Sequence, residues 1–360
     1  MNILFVHSTD LADQHQVYWR CRNIARAIER TGRHHAALVD IPSFVAFSDR
    51  SQRLCKAADL IVIHRYNVGP VLQATQYWKS QGRKLVLDMD EAVDLMPEEM
   101  ESYNRWHNGE FPPNFFLPGN SVTRLEPLPL PQLTWSMAQM DAVTVPSLRL
   151  AGDLEKYGRV WEIPDYIHID RYMPLKPDHG DKIYIGMNAD GVSIPTIVQS
   201  GLLGALEEIS RMRSKVRFFL ANVPAALPDQ ISTVNIKKSI NFSTSPDEWA
   251  RSLLKLDIGL GPVYTDYDLR YSRSRVIEYL ATRIPWIASD RLPYRDFREY
   301  GMLVENSQEA WRAGLLTIID SIDVYRKRAE AKPYLFAVSQ DIDENIGKIL
   351  EVYEQIFTSK

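Results

Sequence analysis

Three arginines lie within six residues of one another, at the start of an apolar stretch that carries one glutamate. They are Arg270, Arg273 and Arg275, and the glutamate is Glu278. A guanidinium group binds phosphate through paired hydrogen bonds, and the first turn of a helix attracts anions. Because the apolar spacing predicts that a helix begins here, the stretch favours a site for an anionic ligand. An ordinary surface pair between Arg275 and Glu278, three residues apart, is the structural alternative.

The chain as a whole is slightly acidic, so any basic site must be local. It has 360 residues, a net charge of -4 and a pI of about 6.1. Proteins that bind nucleic acid generally show a basic surface, and we expect no such partner here. Two cysteines, Cys21 and Cys55, offer no pair of metal ligands and suit buried thiols in a reducing compartment.

The amino terminus resembles neither a secretion signal nor a membrane anchor. The start MNILFVHSTD lacks a basic segment, and its apolar run is too short for a signal peptide. No stretch reaches the roughly 18 apolar residues that a membrane span needs. We therefore expect a cytoplasmic protein, and peripheral contact with the inner face of a membrane stays open.

Short apolar strands alternate with amphipathic helices in the first half of the chain. The predicted strands are NILFVH, HAALVDI, DLIVIHR, KLVLDMD, DAVTVP and VWEIPD. This alternation is typical of a parallel sheet with helices on both faces. Residues 96–131 interrupt it, with six prolines between residues 112 and 131. The aromatic residues of this loop either form a platform for a sugar or a lipid or pack against one another.

The alternation starts afresh after Pro174. The predicted strands are KIYIGMN, KVRFFLANV, VNIKKSI, DIGLGPV, PWIAS and GMLVEN. The helical pattern predicts one long helix over residues 194–212 and two helices near the end, at about 307–332 and 338–358. A chain of this length is suited to two domains. We predict an N-terminal lobe over 1–174, a C-terminal lobe over 175–335, and a final helix, 336–360, that packs back towards the first lobe.

The segment SRSRVIEYLATRIPWIAS, which begins at Ser272, resembles the nucleotide-sugar signature of retaining glycosyltransferases of the GT-B architecture. Further segments resemble the same family in the same order and span nearly the whole chain: YWRCRNIARAIERTG, DMDEAVDLMP, DAVTVPSLRLAGDLEKYG and LDIGLGPV. Three features depart from the family pattern. Arg270 replaces a sugar-binding glutamate, Arg283 replaces a glycine, and the expected glycine-rich turn appears only as GMNADG. These departures concern the donor sugar more than the type of reaction.

The resemblance implies an α/β fold of two Rossmann-like, doubly wound lobes with an interlobe cleft. Ligands of open α/β sheets bind outside the carboxyl ends of the strands. Arg273 and Arg275 would stabilise the leaving diphosphate, and Glu278 would accept hydrogen bonds from the ribose hydroxyls. The residues matched to the donor nucleotide are Tyr271, Ser272, Arg273, Arg275, Glu278, Gly186 and Asn188. Those placed on the acceptor or sugar side are His7, Asp10, Arg20, Asp88, Glu91 and His107, and Asp90 is grouped with the two arginines as catalytic.

The function implied is transfer of a sugar from a nucleotide diphosphate-sugar to an acceptor hydroxyl, with retention and without a metal or other cofactor. The acceptor would be a glycan, a lipid-linked molecule or a small molecule. Two alternatives stay open. Asp88 and Asp90 form a D-x-D pair at a strand end, which binds a metal in glycosyltransferases built on a single lobe. The replacement by Arg270 favours instead a catalytically silent protein that binds a nucleotide or a glycan.

Overall fold

The computed structural model describes residues 1–100, 102–173, 180–188, 191–221, 236–239 and 246–359. The chain divides into two compact units. The first consists of Met1–Glu98, Ser102–Tyr166 and Ile342–Lys360, and the second of Ile167–Asp341 with the short stretch Glu99–Glu101. The predicted boundary between residues 174 and 175, and residues 189–190 of the predicted GMNADG turn, lie outside the described residues. Among the described residues, every helix is too short or too polar to cross a lipid bilayer.

The first unit is built on a parallel sheet of six strands. These are β1 (Asn2–His7), β2 (His35–Asp40), β3 (Leu60–His64), β4 (Lys84–Asp88), β7 (Ala142–Val145) and β8 (Val160–Glu162). The long loop adds an antiparallel pair, β5 (Glu110–Phe111) and β6 (Thr123–Arg124). The order across the sheet is β2-β1-β3-β4-β7-β8. The direction of winding therefore reverses between β1 and β3, which is where open α/β sheets bind ligands.

The helices of the first unit cover both faces of this sheet. They are Gln14–Val17, Asn23–Arg30, Ile41–Val45, Asp49–Ala57, Gly69–Ser80, Tyr103–His107, Pro129–Met137, Leu148–Leu154 and Ile342–Thr358. A π-helical turn, Tyr18–Arg22, joins the first two. The last helix belongs to this unit because its apolar stripe is buried in the same core as β1 and β3, through Ile342, Ile346, Ile349, Tyr353 and Ile356.

The second unit repeats the architecture with a different strand order. Its strands are β9 (Ile183–Asn188), β10 (Val216–Ala221), β11 (Ile236–Ser239), β12 (Ile258–Gly261), β13 (Trp286–Ser289) and β14 (Met302–Val304). They are parallel, in the order β11-β10-β9-β12-β13-β14. Counted within the unit, this is the order 3-2-1-4-5-6 of dinucleotide-binding sheets, with its reversal between β9 and β12. Two doubly wound α/β units confirm the predicted fold class.

The helices of the second unit differ from the prediction in two places. They are Ile194–Gln199, Leu202–Met212, Pro246–Leu253, Ser274–Ala281, Gln308–Asp320, Ile322–Ala329 and Lys332–Ser339. The single helix predicted over 194–212 is wrong, because Gly201 has a φ of +85° and a Cβ there would lie 2.3 Å from the backbone nitrogen of Gln308. The helix predicted over 307–332 also breaks, at Ser321 with φ -129° and ψ 32°.

Tyr279 of helix Ser274–Ala281 packs against the sheet of the second unit. The Tyr279 hydroxyl donates to the carbonyl oxygen of Leu260 at 2.9 Å. Its ring lies against Gly259, where a Cβ would approach the ring carbons to 2.7 Å. The glycine in the middle of β12 therefore allows the helix to approach the sheet, and this helix carries Arg275 and Glu278.

We expect Gly259→Ala to lower the free energy of unfolding by about 1–3 kcal/mol, because the added methyl group overpacks the contact with Tyr279. Urea denaturation of both proteins measures this change. Gly347→Ala is the matched control, since a Cβ on Gly347 would meet no described atom within 4 Å. In that helix interior, alanine should stabilise by roughly 0.5–1 kcal/mol. Equal stabilities for wild type and Gly259→Ala would contradict the packing argument.

Candidate functional site

Arg275 lies one residue into helix Ser274–Ala281 and is held between two tyrosines. Its Nη1 donates to the Tyr294 hydroxyl at 3.0 Å, and its guanidinium carbon lies 5.7 Å from the centroid of the Tyr271 ring. Burial acts to lower the pKa of Arg275, but the surrounding tyrosines outweigh it and hold the pKa above its ordinary value. The side chain is therefore a fixed positive charge at the start of the helix.

Glu278 lies one turn further along the same helix and is only 3% exposed. Its Oε1 accepts a hydrogen bond from the hydroxyl of Tyr172 at 3.0 Å. Tyr172 comes from the turn at the start of the second unit and is itself buried. The solvent-exposed pair considered as the structural alternative is wrong, because Glu278 lies in the interior of the unit.

The other residues matched to the donor lie before the helix or in strand β9. Arg273 directly precedes the helix, at its N-cap position. The Ser272 hydroxyl accepts from the backbone nitrogen of Ser274 at 3.1 Å, and so shapes the entry into the helix. Asn188 ends β9 and is nearly buried. Gly186 has a packing reason to be glycine, because a Cβ there would lie 1.8 Å from the carbonyl oxygen of Phe219 in β10.

A closed set of hydrogen bonds positions the loop that leads into this helix. The backbone nitrogen of Val263 donates to the Ser289 hydroxyl at 3.0 Å, and this hydroxyl donates to Oδ1 of Asn306 at 2.7 Å. Nδ2 of Asn306 in turn donates to the carbonyl oxygen of Val263 at 2.8 Å. Next along the loop, Arg270 is buried, and its Nη1 donates to the carbonyl oxygen of Asp266 at 2.7 Å.

In the first unit, Arg20 occupies the interior beside the carboxyl end of β4. Its Nε and Nη2 donate to Asp88 at 3.0 and 2.7 Å, and its Nη1 donates to Asp165 at 2.9 Å and to the carbonyl oxygen of Ile163 at 2.6 Å. Asp88 also accepts from the Thr144 hydroxyl at 2.7 Å. Arg20 and Asp88, both placed on the acceptor side by the sequence, are 1% and 2% exposed. Together they link the π-helical turn to two strand ends.

Asp90 is held in the same manner by a second arginine, which the sequence did not identify. Arg65 binds both carboxylate oxygens of Asp90, and its Nη2 lies 3.0 Å from Oε1 of Glu91. Burial acts to raise the pKa of Asp90, but Arg65 and His64 hold it far below its usual range. The backbone of Arg65 has a φ of 61°, a strained left-handed conformation. Arg65 thus joins the end of β3 to the acidic loop after β4.

The long loop of the first unit is anchored by a third buried arginine. Nη2 of Arg105 lies 2.9 Å from Asp10, and its Nη1 donates to the Tyr66 hydroxyl at 3.0 Å. The aromatic residues of the loop pack against one another and against Tyr66, with side chains that are almost fully buried: Trp106, Phe111, Phe115 and Phe116. Of the two interpretations of this loop, the structure therefore shows internal packing rather than an exposed platform.

The two histidines among the predicted site residues make local contacts. The His7 ring nitrogen Nδ1 lies 2.8 Å from the carbonyl oxygen of Ser8, and burial lowers the pKa of the ring. His107 stacks on Tyr103 with ring centroids 4.1 Å apart, and its Nε2 lies 3.0 Å from the carbonyl oxygen of Val93. His7 remains partly exposed at the end of β1, beside the reversal point of the first sheet.

No protein-family model matches the chain, and no curated protein matches it by sequence. Solved structures do match. Anabaena HepE, in complex with UDP-glucose, has a TM-score of 0.60 at 14% identity, over 98% of this chain and 100% of its own. A TarM variant of S. aureus, in complex with Fondaparinux, alpha-GlcNAc-glycerol and UDP, has a TM-score of 0.57 at 12% identity, over 89% of this chain and 59% of its own. The chain has the GT-B fold.

The same fold is shared by proteins described as different enzymes. A putative UDP-N-acetylglucosamine 2-epimerase from Listeria monocytogenes has a TM-score of 0.54 at 13% identity, over 100% of this chain and 97% of its own. At identities this low, the structural likeness establishes the GT-B fold and does not specify the reaction. The chain also spans only about three fifths of the TarM chain, 59%.

Several residues that build the two sheet edges were missed by the sequence reasoning. They are Tyr172, Tyr294, Arg65, Arg105, Asp13 and Asp165. Their partners lie between 19 and 145 residues away along the chain. A local pattern therefore carried no signal for them. Arg65 alone has a recognisable position, since it directly follows strand β3.

Proposed function

We propose that this protein transfers a sugar from a nucleoside diphosphate-sugar to an acceptor hydroxyl. The observation that carries the proposal is that one helix places a fixed cation, Arg275, in its first turn and a buried carboxylate, Glu278, one turn later, beside the reversal point of a dinucleotide-type sheet. Supporting it, HepE is described in complex with UDP-glucose and TarM in complex with UDP. A uridine diphosphate-sugar is therefore the first donor to test.

The chemistry follows from charge. A departing nucleoside diphosphate carries about two negative charges, which must be stabilised as they develop. Arg275, Arg273 and the N-terminus of helix Ser274–Ala281 supply positive charge without rearrangement. Glu278 accepts hydrogen bonds from the ribose hydroxyls and so positions the nucleoside end of the donor. We take the reaction to retain the anomeric configuration, with the leaving diphosphate assisting the incoming hydroxyl.

The acceptor is assigned to the first unit, beside the end of β1. Arg20 and Asp88 bind each other, Asp165 and the Thr144 hydroxyl, and they serve as supports. His7, Asp10 and Glu91 keep partial exposure at the same edge and are the groups proposed to meet an acceptor hydroxyl. The acceptor classes are a glycan, a lipid-linked molecule or a small molecule.

We expect transfer to persist in excess EDTA. Asp88 and Asp90 each bind an arginine through both carboxylate oxygens, so a cation at the D-x-D pair would have to displace two buried ion pairs. In the proposed mechanism the arginines of the second unit neutralise the diphosphate instead. The measurement is the initial rate with EDTA and again after Mn²⁺ is restored. Activity that is lost with chelator and recovered with Mn²⁺ would favour the metal-dependent alternative.

The decisive experiment for the function has two stages. A thermal-shift screen against UDP, GDP, dTDP and ADP identifies the nucleotide, since a ligand that binds only the native state raises the melting temperature. The matching nucleotide sugars are then incubated with glycan and lipid-linked acceptors, and release of nucleoside diphosphate is followed. Binding without any turnover would favour the silent nucleotide-binding protein.

An epimerase is a second candidate, because a putative UDP-N-acetylglucosamine 2-epimerase shares the fold over nearly its whole length. The two functions differ in their need for an acceptor. A transferase gives a glycosylated acceptor, whereas a 2-epimerase changes the configuration of the sugar with no acceptor present. Chromatography of the sugar products from UDP-N-acetylglucosamine, with and without acceptor, separates them.

A further inference from the structure

We propose that Tyr172 is a positioning residue for Glu278, and that this contact sets the preference of the nucleotide site for ribose over deoxyribose. The inference rests on the proposed function, since it assumes that Glu278 meets the ribose. Tyr172 lies 106 residues before Glu278 in sequence, and its hydroxyl donates to Oε1 of the carboxylate at 3.0 Å. The contact thus joins the helix of the proposed donor site to the first turn of the second unit.

Both partners are enclosed by protein. Tyr172 is 1% exposed and Glu278 is 3% exposed. A hydrogen bond to a charged group in such surroundings is stronger than one in water, and it restricts the rotation of a flexible side chain. A glutamate has three rotatable side-chain bonds, and a fixed donor restricts the positions that its oxygens occupy. The tyrosine hydroxyl holds one oxygen and so restricts rotation of the carboxylate.

Tyr172 can act as a fixed donor because its own backbone is anchored. It follows the 3₁₀ turn Ile169–Arg171, and its backbone nitrogen donates to the carbonyl oxygen of Ile169 at 2.8 Å. The backbone nitrogen of Ile169 donates to Oδ1 of Asp341 at 3.0 Å. Ile167 forms a parallel β-bridge with Asp341. The turn is therefore held by the end of the second unit, independently of any ligand.

The position of the carboxylate matters for ribose more than for phosphate. Two hydroxyls on adjacent ribose carbons can both donate to one carboxylate only when its two oxygens lie in their plane. Loss of the plane weakens the contacts to the 2′ and 3′ hydroxyls and leaves the diphosphate contacts of Arg275 unchanged. A change at Tyr172 should therefore appear as lost sugar selectivity.

The experiment compares UDP with its 2′-deoxy and 3′-deoxy forms by calorimetry. Wild type should bind UDP more tightly than either deoxy form. In Tyr172→Phe this preference should fall by about 2- to 12-fold, the effect of one hydrogen bond. Inorganic pyrophosphate should bind wild type and variant equally. An unchanged preference in a folded Tyr172→Phe protein would overturn the inference.

A double variant shows whether Tyr172 acts through Glu278. Glu278→Gln removes the carboxylate, so adding Tyr172→Phe should cause no further loss of preference for UDP over the deoxy forms. A role of Tyr172 in packing alone would lower the preference further, and this outcome contradicts the inference. Tyr172→Phe alone removes the tyrosine donor from a buried carboxylate and could therefore fail to fold. The double variant has no carboxylate at position 278, so its preference can still be compared with that of Glu278→Gln.

Tyr294→Phe is the matched control, because it removes a buried hydroxyl that contacts Arg275 instead. It should weaken UDP and both deoxy forms by the same factor and leave the preference intact. The wild-type result also separates a failure of the proposed function from a failure of the role of Tyr172. If UDP, GDP, dTDP and ADP all fail to bind wild type, the proposed function fails. If UDP binds with a preference for ribose that Tyr172→Phe does not change, only the role of Tyr172 fails.

Discussion

Replacing Arg20 with methionine should lower the free energy of unfolding by roughly 3–5 kcal/mol, because the change leaves buried carboxylates without their cation. Arg20 binds Asp88 and Asp165 in a setting where all three side chains are at most 6% exposed. Urea denaturation followed by circular dichroism measures the loss. Native stabilities are typically about 5–15 kcal/mol, so the variant would lose a large part of the total or fail to accumulate in folded form.

An exposed ion pair of the second unit provides the control. Arg213 binds Asp320 with side-chain exposures of 36% and 55%. Arg213→Met should cost less than about 1 kcal/mol, since solvent screens the pair. A similar loss for Arg20→Met and Arg213→Met would show that the buried network of the first unit does not stabilise the fold. The triple variant Arg20→Met, Asp88→Asn, Asp165→Asn should recover part of the loss, because it removes the unpaired charges as well.

Arg275→Ala should weaken the binding of nucleoside diphosphate by about 10- to 150-fold, because a hydrogen bond to a charged group contributes about 1.5–3 kcal/mol. The affinity for the free nucleoside should stay close to that of wild type. Calorimetry with UDP and with uridine makes the comparison. Arg275→Lys should fall between the two, since it keeps the charge and loses the planar fork.

Arg295→Ala removes the same charge elsewhere in the second unit. Arg295 is exposed and pairs with Asp290 at 3.0 Å. Because long-range effects are screened at physiological salt, this control should bind UDP almost as wild type does. Equal affinities for wild type and Arg275→Ala would remove Arg275 from the site, and with it the observation that carries the proposed function.

Arg283 shows how the sequence and the structure together explain a departure from a family pattern. It stands where the pattern has glycine, and its φ of 59° lies in the left-handed region that favours glycine. The guanidinium carbon lies 4.1 Å from the centroid of the Tyr334 ring. Such a cation–π contact contributes about 0.5–2 kcal/mol and offsets the backbone strain. The substitution therefore concerns the local turn, whereas Arg270 lies in the loop that leads to the site.

The sequence by itself determined the two parallel α/β units, nearly all of their strands, and the helix that carries Arg275 and Glu278. These features follow from local patterns. Apolar runs of four to six residues form buried strands, and apolar residues three and four apart form one face of a helix. The segments that resemble the GT-B family are also local, and the sequence alone therefore indicates the fold.

Tertiary structure alone decided which side chains meet. Glu278 accepts a hydrogen bond from Tyr172, which is 106 residues away in sequence, and Arg20 donates to Asp165, which is 145 residues away. The helix break at Gly201 depends on the backbone of Gln308 packing against it. Asp90 binds Arg65, which lies 25 residues before it in sequence. Contacts of this kind form where segments that are distant in sequence meet at one edge of a sheet. A buried charge requires a partner, and the local sequence does not specify which residue that partner is.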